Sequence, residues 1–381
     1  MLFSVRPKEK REELYDFDKE LEELKESIKR NPITVLVGTR RTGRTSLLNV
    51  ALNELGNPYI YLDLRMFVLS YETFMDGMKR SLEDFIKRYA PLRKRIAKVL
   101  QSVRGLSVSL SPISVNINLK GEKKLDLAEL FTALNKIASE FGKEVIVAID
   151  EAQELRKIKR INFLQLLAYI YDNLENIRIV LTGSGVTLLS FMELMQFNNV
   201  DSPLNGRYIH IISIRNLSFE ESVDFLERGF REIGVSIPSH VIKSAARAFG
   251  GTIGWLTLFG YNCYMNPSLR EEHAEKLLEE TVRIAVETTE QEIRHLLNVS
   301  EIYRTLLKIL TTERSFSEIK KILEDAEGKT IRDTRLSDCL YKLIDLSVIQ
   351  KREDKYVITD HPIIKKAVEE LLGEIDNAKN K

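Results

Sequence analysis

Residues 38–46 read Gly38-Thr39-Arg40-Arg41-Thr42-Gly43-Arg44-Thr45-Ser46, after the apolar run Ile33–Val37 and before a helical stretch over Thr45–Leu55. The segment fits the P-loop pattern G-x-x-x-x-G-K-[ST] at every position but one, where Arg44 stands in place of lysine. Such glycines let successive backbone N–H groups turn into one concavity. The helix N-terminus behind them adds partial positive charge, so the loop suits a chain of phosphates. Thr45 is placed to offer its hydroxyl to Mg²⁺. Arg44 is a planar fork rather than a point charge; it can grip phosphate in a bidentate manner, but it positions groups differently from lysine. Binding is therefore the stronger expectation and hydrolysis the weaker. The alternative reading is a glycine-rich turn without a ligand.

A second segment sharpens the choice. Val145–Ile149 is an apolar run ending in Asp150-Glu151, the Walker B arrangement. Asp150, on a strand expected beside the P-loop strand, would hold Mg²⁺ through water, and Glu151 would polarise an attacking water. Alone, the pair reads as well as a cap on the next helix. With the glycine loop it points to a Mg²⁺-dependent site for a nucleoside triphosphate; no guanine-reading N-K-x-D pattern is present, and the choice of ATP/ADP rests on the family resemblance given below.

The elements around these segments alternate. Helical spacing at 17–29 precedes the first strand, and Tyr59–Leu62 is the next strand, with Asp63 at its end as a cap or an indirect neighbour of the metal. Residues 71–100 read as helix, basic at Lys87, Arg88, Arg93, Lys94, Arg95 and Lys98. Leu106–Leu110 and Ile113–Leu119 alternate apolar and polar residues across Ser111-Pro112, a hairpin inserted at about 101–122. Helix, strand, helix and strand follow to Leu181. This is the pattern of an α/β fold with a parallel sheet covered on both faces. Beyond Ile214 the spacing is helical to about Leu297. Then Tyr303–Leu310, Phe316–Leu323 and Thr334–Leu346 precede two short strands, as in a winged helix-turn-helix. The expected units are 1–214, 215–294 and 295–381.

Composition sets limits. Among 381 residues, 44% are hydrophobic and 30% charged, with net charge +1. From His295 onward 16 Lys/Arg face 16 Asp/Glu, so the winged unit lacks the excess charge of a dedicated DNA binder. The two cysteines and five histidines are scattered, which argues against zinc or a disulfide framework. The charged N-terminus has no apolar signal region, and no apolar run nears about 18 residues. A cytoplasmic protein without membrane contact is expected.

These segments together resemble the archaeal ATPase family of the AAA+ class, related to STAND and origin-recognition ATPases. Arg6-Pro-Lys with Leu14–Leu21 looks like the family's N-terminal segment, and Ile179–Ser184 like its sensor-1 strand. Ser202-Pro-Leu-Asn-Gly-Arg207 is similar to its S-P-L-x-G-R signature, and Gly250–Leu256 to its lid segment G-G-x-P-G-W-L. The chain departs from the family at Arg44, at Phe17 where arginine is usual, and at Ile253 where the lid has proline. The resemblance implies an AAA+ sheet, a helical lid and a winged helix. It also implies that Thr182 and Ser184 sense the terminal phosphate or place the water, and that Arg207 is an arginine finger, in cis or toward a neighbour. Three functions follow: a cycling ATPase remodelling a partner, a slowly hydrolysing STAND-like switch, or a winged-helix DNA regulator. Contact with DNA or protein would use the winged helix or segment 87–98. Oligomeric state is left open.

Overall fold

A computed structural model describes residues 1–66, 70–119, 124–158, 160–184, 202–266 and 271–379. Ile33–Gly38 (β1) and Val145–Asp150 (β5) are buried at every residue, as expected of central parallel strands covered on both faces. Tyr59–Asp63 (β2) alternates, with Ile60 and Leu62 turned inward. With Ile177–Ser184 (β6) and His210–Ile214 (β7) they form one parallel sheet in the order β2-β5-β6-β1-β7. Leu36, Ile146, Ala148, Val180 and Ile212 face Asp18–Arg30 (α1) and Arg44–Leu55 (α2). Their neighbours Val35, Val37, Val147, Ile179 and Leu181 face the opposite layer of helices.

Register fixes the functional edge. Gly38 lies opposite Ser184 in the β1–β6 pairing, and Asp63 opposite Asp150 in the β2–β5 pairing. The strand bearing Asp150 is not beside the P-loop strand, as the sequence suggests; β6 runs between them. Both β1 and β5 are buried runs of equal length, so their composition carries no sign of the strand that separates them.

The opposite layer holds Tyr71–Arg88 (α3), Arg93–Leu100 (α4), Leu127–Phe141 (α5) and Phe163–Asn173 (α6). Residues 71–100 are two helices rather than one, because Pro91 lacks an N–H and the chain turns over Ala90–Leu92. Leu106–Leu110 (β3) and Ile113–Ile117 (β4) pair as a hairpin, with Val108 and Val115 buried and Ser107, Ser109 and Asn116 exposed. Positions 120–122 of the expected insertion lie outside the described residues.

Phe219–Ile233 (α7), Ser239–Phe249 (α8), Ile253–Tyr264 (α9) and Glu271–Val299 (α10) follow. The winged helix comprises Ile302–Ile309 (α11), Arg314–Ser315 (β8), Phe316–Glu327 (α12), Asp333–Asp345 (α13), Ile349–Arg352 (β9) and Lys355–Ile358 (β10). Its sheet order is β8-β10-β9. Two elements go beyond the sequence reading: the two-residue strand β8 and a final helix, Pro362–Lys379 (α14). Ile363, Ala367, Val368 and Leu371 seat α14 in one apolar core that continues through α7 to α10 and the winged helix. Among the described residues no helix is long and apolar enough to cross a membrane.

The N-terminal segment enters that same core. Phe3 is fully buried against Phe225 and Phe230, at centroid distances of 5.6 and 5.0 Å with edge-to-face geometry. Gly229 and Gly260 make the socket: a Cβ at either would lie 2.2 or 2.4 Å from the Phe3 ring. A few residues on, the Lys8 backbone N–H donates to Ser46 Oγ at 3.1 Å. The Lys8 ammonium donates to the carbonyls of Met1, Leu2 and Ser4. The segment therefore spans from the helical core to the glycine loop.

Candidate nucleotide site

The glycine loop leaves β1 at Gly38 and feeds α2, whose N-cap is Gly43 in the left-handed region (φ 93°). No side chain caps this helix, so its first N–H groups are available to an anion. Phe17 and Ile253 both approach Gly43, at 3.4 and 3.8 Å from where a Cβ would be. Within the loop, Thr42 Oγ1 donates to the Thr39 carbonyl at 2.8 Å. Thr39 Oγ1 donates to Asn216 Oδ1 at 3.4 Å.

Asp150 is the hub. It is 1% exposed, and Oδ2 accepts from Thr45 Oγ1 at 3.1 Å and Tyr61 Oη at 3.0 Å. Oδ1 accepts from Thr182 Oγ1 and from the Glu151 N–H. Burial, and then the Asp150 charge, keep the Tyr61 hydroxyl well above the usual phenol range. Glu151 takes left-handed backbone (φ 55°) and turns its carboxylate toward Arg44, with Nη2 to Oε1 at 2.9 Å. Its other oxygen accepts from Gln153 Nε2 at 2.6 Å. Arg44 Nη1 is buried without a hydrogen-bond partner among the described residues. An orphaned, buried cationic N–H costs stability unless something accepts from it.

Arg44, Thr45, Glu151 and Gln153 open onto a cavity of 790 Å³, within the range of about 300–1,000 Å³ for small-molecule sites. Arg40 to Ser46 line it together with Arg65, Glu151 and Glu292. Pro7, Leu14, Phe17 and Ile253 supply apolar wall. The donor set suits a hard cation carried by phosphates: one hydroxyl and one carboxylate side by side, Thr45 and Asp150, rather than a protein cage. Among the described residues no cluster of three or more His, Cys, Asp or Glu exists for an independent metal.

Not every residue expected at the site gathers there. Arg207 is held by Asp172, with Nε to Oδ1 at 2.9 Å, and by the Pro203 carbonyl, and it does not line the cavity. Ser184 closes β6 opposite Gly38, but its side chain lies outside the described residues. Arg40 and Arg41 turn to Glu292 on α10, at 3.0 and 3.5 Å, and Arg41 stacks 4.2 Å from the Trp255 ring. The sequence reading misses Tyr61, Arg65, Gln153 and Glu292. Only the positions of the first two, one in β2 and the other just past its end, could have marked them.

Comparison with known proteins decides the family. A family described as an ATPase domain predominantly from Archaea matches residues 14–259. The chain belongs to this archaeal ATPase family. The match runs from Leu14 through the P-loop and β5 into α9, so the ATPase-family domain includes α7, α8 and the first half of α9. Residues 297–359 match the MCM protein C-terminal winged helix-turn-helix domain. A Walker-type ATPase of Pyrococcus abyssi, PABY2304, is similar over 97% of this chain and 100% of its own, at 30% identity and TM-score 0.73. The Aeropyrum pernix ORC2 protein, in its ADPNP-ADP complexes, shares the fold at 14% identity and TM-score 0.55, covering 96% of this chain and 95% of that one. No curated protein matches. The ATPase-family chain thus has the P-loop AAA+ architecture, with a helical region and a winged helix after the parallel sheet.

Proposed function

We propose that this protein binds ATP with Mg²⁺ at the glycine loop and hydrolyses it. The observation that carries the reading is convergence: the loop, Thr45 and the Arg44–Glu151 pair all line one cavity, with Asp150 buried behind Thr45 and bonded to it. Residues 38–46 would cradle the phosphates, and Thr45 and Asp150 would hold Mg²⁺. When bound, Mg²⁺ offsets charge that develops on the phosphate oxygens. Glu151 orients the attacking water, with Thr182 and Ser184 beside it at the edge of the sheet. Residues 1–214 would act as the nucleotide unit, 215–294 as the lid and 295–381 as the winged unit that meets a partner. Calorimetry tests this directly: ATP with Mg²⁺ should bind at micromolar to low millimolar concentration. No heat of binding at millimolar ATP sinks the proposal.

One observation favours a second reading, a switch that hydrolyses slowly. The Arg44 fork occupies the very carboxylate that should activate water. Turnover would then wait until phosphate draws Arg44 away.

For the partner, the basic segment is the better supported surface for DNA. Arg93, Lys94, Arg95 and Lys98 are exposed on α4, and no carboxylate pairs with them among the described residues. The hairpin packed on α4 adds exposed Ser107, Ser109 and Asn116. In the winged helix, by contrast, Arg352 is committed to Glu313 and Asp360. Duplex DNA should bind with an affinity that falls as salt rises, and Lys94→Glu with Lys98→Glu should lower that log–log slope by about two. An unchanged slope would assign DNA contact, if any, elsewhere.

A further inference from the structure

Two arginines touch the Asp150-Glu151 pair, and the proposed function employs only one. Arg44 reaches Glu151; Arg65 reaches Asp150, with Nη2 to Oδ2 at 3.3 Å. Arg65 sits two residues past the end of β2. Asp63 fixes it there: Nε donates to Oδ1 at 2.9 Å, Nη2 to Oδ2 at 2.7 Å, and the Arg65 N–H to Oδ1 at 3.0 Å. Because Asp63 lies opposite Asp150 in the strand register, the guanidinium bridges two carboxylates from adjacent strands.

Charge neutralisation explains that bridge but not the rest of the geometry. A purely structural cation between two carboxylates has no need of a solvent-filled cavity. Arg65 instead is 52% exposed and lines the same cavity as Arg44, Thr45 and Glu151. The bidentate grip uses Nε and Nη2, while Nη1 hydrogen-bonds to no described residue. A guanidinium gripped through Nε and Nη2, with its remaining N–H groups unclaimed in a cavity that the phosphate-binding loop also lines, is a preorganised oxyanion clamp. Arg207, the arginine that the family resemblance nominates, is bound by Asp172 outside this cavity.

We infer that Arg65 contacts the terminal phosphate of ATP from within the same chain, so that this residue separates triphosphate from diphosphate. Asp63 is its positioning residue. The inference rests on the cavity being the ATP site. A contact made only to the last phosphate adds affinity for ATP and none for ADP.

The test is equilibrium binding of ATP and of ADP, each with Mg²⁺, to the full chain and its variants. Arg65→Gln should weaken ATP by about 10- to 100-fold, the range for a lost charge-assisted hydrogen bond, and ADP by less than about twofold. Arg65→Lys should fall between, and Asp63→Asn should weaken ATP alone by a smaller factor. Equal losses for both nucleotides, or no loss of either, overturn the inference. Should Arg65→Gln fail to fold, the double variant Asp63→Asn/Arg65→Gln leaves no unpaired carboxylate at position 63 and faces the same comparison. A natural chain that binds neither nucleotide overturns the site itself, and is thereby distinct from failure of Arg65 alone.

Discussion

Replacing Glu151 by glutamine is expected to lower ATP turnover by about 10²- to 10⁴-fold, the usual reach of a general base, and to leave ATP affinity within a few-fold. The side chain keeps its size and one carbonyl oxygen, so the hydrogen bond from Arg44 Nη2 has an acceptor still. What disappears is the negative charge that would draw a proton from water. The left-handed backbone at residue 151 aims the side chain at the glycine loop rather than along the next helix, and glutamine imposes no new demand on it. Single-turnover hydrolysis measured beside equilibrium binding separates the two effects. Undiminished hydrolysis in Glu151→Gln would mean that another group activates the water.

The second large effect falls on Arg44. Arg44→Ala should weaken ATP at least about tenfold and lower stability by about 1–3 kcal/mol. Breaking one side of a fully buried ion pair costs about 3–5 kcal/mol. Here Glu151 retains 15% of its exposure, so water recovers part of the loss. Urea unfolding of Arg44→Ala/Glu151→Ala should regain most of the stability, since no unpaired carboxylate is left, without restoring ATP binding. Arg44→Lys gives the complementary result. The guanidinium has a second amine to offer phosphate while Nη2 stays on Glu151, whereas one ammonium must choose between the 2.9 Å contact and the phosphate, so Glu151 is released and turnover should rise. Lower turnover in Arg44→Lys would show that the arginine aids hydrolysis rather than restraining it.

The fold was legible wherever one period dominates. The buried runs of β1 and β5, the spacing in α1 and the alternation in β3 and β4 all appear as their composition dictates. Strand order was not legible, because a buried strand looks the same beside any neighbour. The final helix shows apolar spacing at Ile363, Ala367 and Leu371, yet it follows a hairpin that already completes a familiar pattern. At the site, the glycines, Thr45 and Asp150 announce themselves by local sequence. Arg65, Tyr61 and Glu292 do not; they arrive through strand register or from a helix some 250 positions away, as in the contact of Arg41 with Glu292.

Phe3 and Lys8 add a mechanical bound. One is moored in the helical core and the other on the first turn of α2, with five residue steps between them. A fully stretched chain gains about 3.3–3.6 Å per residue, so this leash is at most about 18 Å long. While both moorings hold, the helical region can swing from the glycine loop no farther than that. A wider opening has to pull a phenyl ring out of a socket walled by two glycines, or give up the Ser46 hydroxyl. Residues 3–8 therefore cap how far the helical region and the glycine loop can part while both contacts last.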